Sequence, residues 1–184
     1  MNKSVLERQR GKAPMDKIAT KLHILFVFAL LLAGYAQAQP RLGEKAKDFT
    51  LENLKGEKVS LKDFQGKKNV FLNFFTTWCP YCREEVPILN KLYPEYKDKN
   101  VEFIGIDVRE SKKKVSTFAE KYKIAYPILL DPKGEVGNLY RVPYFPFNLI
   151  IDQNGVIKFV GGFLSEKDLK KELDKIILGK KRYK

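Results

Sequence analysis

The chain has 184 residues, 44% hydrophobic and 12% aromatic, which is enough apolar material for one packed domain of ordinary size and excludes global disorder. Two cysteines are too few for a disulfide scaffold or a four-thiolate zinc site. The single histidine, His23, falls in an apolar run near the N-terminus, so imidazole-based hydrolysis and His-ligated metal or haem sites are not expected in the working domain.

The formal charge of +13 comes with interleaved Lys and Glu, as in Lys167-Asp168-Leu169-Lys170-Lys171-Glu172, and reads as a solvated face rather than a nucleic-acid surface. Along the chain, a basic stretch precedes the apolar run Ile24 to Ala33, and Gly34-Tyr35-Ala36-Gln37-Ala38 follows it. That order makes an export signal, with cleavage expected after Ala38. The apolar part falls short of the ~20 residues a spanning helix needs. An uncleaved membrane anchor is the alternative, and Met15 is a second candidate start. The expected organisation is a leader over residues 1–38 and one domain over 39–184, exported to the periplasm or cell envelope. In that space a cysteine pair cycles or stays bridged.

Ala46 to Leu51 and Val59 to Leu61, on either side of a turn at Gly56, alternate apolar and polar residues as a β-hairpin does. Val70 to Phe75 is nearly all apolar, the signature of a strand buried on both faces. Thr76-Thr77-Trp78 leads into a helix that opens near Cys79 and continues past Leu92, with Pro87 expected to bend it. Val101 to Val108 reads as a second buried strand, and Ser111 to Lys123 as an amphipathic helix with Val115, Phe118 and Tyr122 on one face. A short strand over Tyr126 to Leu130 and a short helix over Glu135 to Tyr140 come next. Phe147 to Ile151 and Val156 to Val160, joined at Asn154-Gly155, suggest a hairpin with a type I′ turn. Ser165-Glu166-Lys167-Asp168 starts a last helix that reaches Leu178.

Trp78-Cys79-Pro80-Tyr81-Cys82 follows the most apolar strand and opens a helix. Two cysteines three apart at a helix start can close a small ring. The first meets unpaired backbone N–H groups and the positive end of the helix dipole, which favour a thiolate. Cys79 is the expected nucleophile, and Cys82 the resolving thiol that breaks a mixed disulfide. Three other readings exist. Half a zinc site lacks two further ligands. A structural disulfide would close too short a loop to stabilise much. A peroxidatic cysteine fits Thr76, three before Cys79, but Leu72 stands where peroxiredoxins have proline, and the paired Cys82 suits a dithiol better.

Residues 43–178 resemble the exported thiol–disulfide oxidoreductases of the TlpA/ResA type. The matching stretches are Ala46 to Leu51, Phe71 to Cys79, Cys82-Arg83-Glu84-Glu85-Val86-Pro87, Tyr126-Pro127 with Asp131, and Pro146 six before Asp152. The resemblance implies an α/β thioredoxin fold, a central mixed sheet flanked by helices, with an N-terminal β-hairpin extension. It implies disulfide exchange with envelope proteins, in the reducing direction and with electrons from a membrane-embedded thiol donor. No cofactor is expected beyond the redox-active Cys79–Cys82 pair, no metal, no nucleic-acid partner, and no membrane contact except through an uncleaved leader. Relatives of this type often prepare the cysteines of apocytochrome c for haem attachment, and the same role follows here by analogy.

The resemblance also implies site residues. Glu85 is the partly buried acid near the dithiol that relays a proton to or from the resolving thiol, the more so because Asn73 stands where cytosolic thioredoxins carry a buried Asp. Pro146 is the cis-proline that faces the dithiol, and the backbone of Phe145 pairs with an extended substrate peptide. Trp78, Pro80, Tyr81 and Phe145, joined by Tyr144, form an apolar rim for a polypeptide. Many relatives have proline just before the second cysteine. Here Pro80 follows the first, a difference that bears on thiolate stability and redox potential. The rivals from other classes are a thiol peroxidase and a redox-inactive peptide-binding module of the same fold.

Overall fold

The computed structural model describes residues 40–179 together with Lys21, so the leader read over 1–38, His23 included, and the basic tail after Gly179 lie outside the described residues apart from that one position. Every residue of β3 (Asn69–Phe75) and β4 (Val101–Val108) is buried, as strands covered on both faces must be. These two pair in parallel, from Asn69 opposite Val101 to Phe75 opposite Asp107. Around them the chain order is β1 (Thr50–Asn53), β2 (Lys58–Ser60), β3, α1 (Pro80–Lys97), β4, α2 (Lys112–Lys121), β5 (Ile128–Asp131), α3 (Glu135–Leu139), β6 (Phe147–Ile151), β7 (Ile157–Gly161) and α4 (Glu166–Gly179). The strands form one mixed sheet in the order β2-β1-β5-β4-β3-β6-β7. The N-terminal hairpin is a true extension of that sheet, because Glu52 and Asn53 of β1 pair antiparallel with Leu130 and Leu129 of β5.

Side chains of a strand alternate between faces, and the packing follows that parity. Val70, Leu72 and Phe74 of β3 join Ile104, Ile106, Leu149 and Ile151 on the face covered by Val136 of α3 and by Tyr140. Phe71 and Phe103 face the other way, onto Leu89, Leu92 and Tyr96 of α1 and Leu169 and Leu173 of α4. Asn73, Asp107 and Asn148 share the α1-side parity, so three polar residues of three adjacent strands lie near the start of α1. The α1 helix runs through Pro87 and Pro94 to Lys97 as one element.

Element ends differ from the sequence expectation by a residue or two, except that the first strand begins at Thr50 rather than Ala46, and one turn differs in kind. A type I′ turn at Asn154-Gly155 needs positive φ at both residues, but only Gly155 has it, at +75°. Gly155 N donates to Asp152 O at 2.8 Å, and the Asp152 carboxylate takes the N–H groups of Asn154 and Val156, each at 2.9 Å. The turn therefore spans Asp152 to Gly155, and a separate bulge at Lys158 shifts the register by one residue between Ile151 and Ile150. Among the described residues no helix is long and apolar enough to cross a membrane.

Candidate active site

The carboxyl ends of parallel strands are where an α/β sheet presents its loops, and the turn from β3 into α1 carries both sulfurs. Pro80 takes the first helical position, where its missing N–H and fixed φ are tolerated. Cys79 caps the helix, its Sγ accepting a hydrogen bond from Cys82 N at 3.2 Å. Both thiols are free. The Cys79 thiol also donates to Phe145 O at 3.4 Å, and the Phe145–Pro146 peptide is cis. A loop far along the chain thus brings a backbone carbonyl and a proline directly to the first sulfur.

Neither sulfur is open to bulk solvent, with Cys79 3% and Cys82 2% exposed, yet the residues around them present large apolar surface: Trp78 59%, Tyr81 62%, Tyr144 52% and Phe163 42% exposed. Trp78 meets Phe145 edge to face with centroids 6.2 Å apart, and Tyr81 meets Phe163 at 6.3 Å. Exposed aromatics in pairs are unusual on a free surface and suit a site that receives a partner. Pro80 is exposed between them, while Pro146 is buried and Phe145 half-buried.

Glu85 lies one turn beyond Cys82 and is 1% exposed. Three donors converge on it: Asn148 Nδ2 at 2.7 Å and Leu164 N at 2.9 Å on Oε1, and Asn73 Nδ2 at 2.8 Å on Oε2. Asn73 also donates to Asn148 Oδ1 at 2.7 Å, closing the network. Burial pushes the Glu85 carboxyl up to about 7, against the pull of its three donors toward the charged form. Burial also drives the Cys82 thiol well above its ordinary range. The Cys79 sulfur and the Glu85 charge add to that, and the Thr76 backbone N–H opposes it.

The structure therefore brings together Trp78, Cys79, Pro80, Tyr81, Cys82, Glu85, Phe145 and Pro146, with Asn73 on Glu85, while Tyr144, named with the rim, is exposed and meets Phe147 edge to face. It adds Phe163, which completes the rim from the loop after β7, and Asn148 and Leu164, which hold Glu85. A signal for Asn148 was present as an amide inside an otherwise apolar strand, Phe147 to Ile151. Nothing in the local sequence points to Phe163 or to the Leu164 N–H.

Residues 42–160 match the AhpC/TSA family. The thiol-disulfide oxidoreductase ResA of Bacillus cereus is 39% identical over 149 residues, which cover 79% of this chain and 86% of that one. The thioredoxin-like protein YneN of Bacillus subtilis is 42% identical over 137 residues, covering 72% of this chain and 78% of its own. Among solved structures, the thioredoxin domain of a thiol-disulfide oxidoreductase from Bacteroides vulgatus superposes with a TM-score of 0.68 at 30% identity, covering 74% of this chain and 98% of that one. The fold is the thioredoxin fold, and the extent of these matches on both sides establishes that the chain belongs to the AhpC/TSA family.

Proposed function

We propose that this thiol–disulfide oxidoreductase works through Cys79 as the attacking sulfur and Cys82 as the resolving one, reducing disulfides of proteins in the cell envelope. The observation that carries the reading is the placement of Cys79 Sγ, which caps α1 and contacts Phe145 O beside cis-Pro146, between two pairs of partly exposed aromatic rings. In the first step the Cys79 thiolate attacks one sulfur of a substrate disulfide; a new S–S bond forms and the substrate's other sulfur leaves as a thiolate. In the second, Cys82 gives up its proton and attacks the Cys79 sulfur. The intramolecular disulfide forms, the mixed disulfide breaks, and two electrons have passed to the substrate. Glu85, one helical turn away, takes the Cys82 proton in this reading. The rim holds the polypeptide through Trp78, Pro80, Tyr81, Phe145 and Phe163, and the backbone at Phe145 offers β-type pairing.

The leader over residues 1–38 carries the domain out of the cytoplasm in this reading, and a membrane-embedded dithiol recharges the pair from outside the fold. No cofactor beyond the two sulfurs takes part. Preparation of cytochrome cysteines for haem is the analogous task. Cys79→Ser abolishes turnover, whereas Cys82→Ser accumulates covalent mixed disulfides with envelope proteins, visible as reducible adducts on a gel. Absence of adducts from the Cys82→Ser strain would overturn the order of attack. Alkylation trapping in living cells reads the direction: a mostly reduced pair marks a reductase, and a mostly oxidised pair an oxidase.

A further inference from the structure

At the carboxyl end of β4, beside the carboxyl end of β3, stand two acids that the exchange chemistry does not use. Asp107 lies opposite Phe75 in the ladder and is 0% exposed, and neither of its carboxylate oxygens has a hydrogen-bond partner of normal geometry. Glu110, also buried, reaches back to the turn before the dithiol. Its Oε2 accepts from Thr77 N at 2.5 Å and its Oε1 from Thr77 Oγ1 at 2.9 Å, while Lys114 pairs with the same carboxylate. Arg83 Nε, from α1, donates to Thr77 O at 3.0 Å. Every polar atom of Thr77 is therefore gripped by a charged side chain.

The residue before it anchors the backbone of the first sulfur-bearing residue. Thr76 O accepts from Cys79 N at 3.3 Å, and the Cys79 sulfur in turn accepts from Cys82 N at 3.2 Å. The Thr76 hydroxyl has no partner of its own, so this residue is held by its neighbour's clamp rather than by its side chain. We propose that Glu110, backed by Asp107, is a positioning residue for the dithiol: it fixes the Thr76–Thr77 backbone that anchors Cys79 N, and so keeps the Cys82 N–H aimed at the Cys79 sulfur. This inference rests on the reading of Cys79 and Cys82 as the exchanging pair.

The two acids divide the work by charge. Burial pushes Asp107 up to about 8, and the neighbouring Glu110 carboxylate adds to that. For Glu110, burial raises the carboxyl, but Lys114 and the N–H and hydroxyl of Thr77 outweigh it and hold the group below the usual carboxylate range. Asp107 is thus the neutral member and Glu110 the charged one, since two unscreened carboxylates side by side cannot both ionise. The charged groups that face Asp107 are Glu110 and Lys114.

A thiol or thiolate sulfur accepts a hydrogen bond better than a disulfide sulfur does, so the clamp favours the reduced pair. The test is the equilibrium of the Cys79–Cys82 couple against glutathione buffers at pH 7. Glu110→Ala shifts it toward the disulfide by about tenfold, the worth of one such bond. Thr77→Val, which removes only the hydroxyl arm, shifts it by about threefold. Asp107→Ala moves the couple in the same direction, and Asp107→Asn, which keeps a neutral donor beside Glu110, restores it. Thermal melts run in parallel, because a merely structural role would lower the melting temperature without moving the couple. If Glu110→Ala fails to fold, Thr77→Val decides. Couples within twofold of wild type in the folded variants overturn the inference. A wild-type protein that forms no Cys79–Cys82 disulfide overturns the underlying reading instead.

Discussion

Glu85 shows how one buried side chain can be poised between two states. Its three donors, Asn73, Asn148 and Leu164, are what a carboxylate wants, while its burial is what a neutral acid wants. The two nearly cancel, and the group is left near neutrality, at about 7. A carboxyl at that value can take a proton above pH 7 and return it below. The expected consequence is a turnover that rises with pH through about 7, as Glu85 ionises and becomes able to accept the Cys82 proton. Glu85→Gln removes that inflection and lowers the high-pH plateau by about a hundredfold, the low end of general acid–base contributions. A kcat profile for disulfide reduction between pH 5.5 and 8.5 checks this, and the same inflection in the variant would exclude Glu85 as the carrier. The Gln amide also forces a rearrangement, because its N–H2 would meet the amide of either Asn73 or Asn148 donor to donor.

At the scale of elements, the β3–α1 turn holds the Cys79 sulfur behind a rim rather than in the open. Trp78 leans on Phe145 and Tyr81 on Phe163, so a small reagent and a polypeptide meet different barriers. Trp78→Ala uncovers Cys79 and speeds its alkylation by iodoacetamide. The same change raises KM for a polypeptide disulfide by about tenfold, with kcat within a few-fold, because a large aromatic contact is lost from the docking face. A variant with slower alkylation and unchanged KM would show that the ring packs for stability alone.

The rim also marks how far the sequence could be read. Cys79, Cys82 and the helix that opens on them were legible, because C-x-x-C after a fully apolar strand is a local pattern. The caps were legible for the same reason: Ser111 accepts from Lys114 N at 3.5 Å and Ser165 from Asp168 N at 3.2 Å. What could not be read depends on which strands become neighbours. Asn73 and Asn148 meet on Glu85 only because β6 pairs with β3, and Asp107 joins the site only because β4 lies on β3's other side. Asp107 stood in a stretch that reads as a buried strand, yet a lone carboxylate there does not say which helix it faces. The Asn154-Gly155 turn misled for a smaller reason, since the Asp152 side chain takes the N–H groups that would otherwise leave the turn free to choose its type.

For the whole molecule, two buried acids near the dithiol, Glu85 and Asp107, set how stability varies with pH. Glu85 sits at about 7 against an ordinary 4.5, and Asp107 at about 8 against 3.8. Both values are raised by folding, so between about pH 4 and pH 8 the folded chain holds protons that the unfolded chain has released. Stability then falls as pH rises across that window, and levels off once both groups have ionised in the folded state. Below the window both acids are neutral in either state and take nothing away. The Glu85 shift alone corresponds to about 3 kcal/mol lost on going from pH 4.5 to above pH 7. The acids held low, Asp48 and Glu110, act in the opposite sense, and their contribution disappears only as pH drops through the ordinary carboxylate range. Urea midpoints measured from pH 5 to 9 should therefore decline toward pH 8 and then flatten. Asp107→Asn, which cannot ionise, should already exceed wild type at pH 5, widen that margin up to about pH 8, and leave only the Glu85 part of the slope. A variant curve parallel to that of wild type would mean that Asp107 is ionised in the folded protein at neutral pH, and the division of charge between the two acids behind the dithiol would have to be reversed.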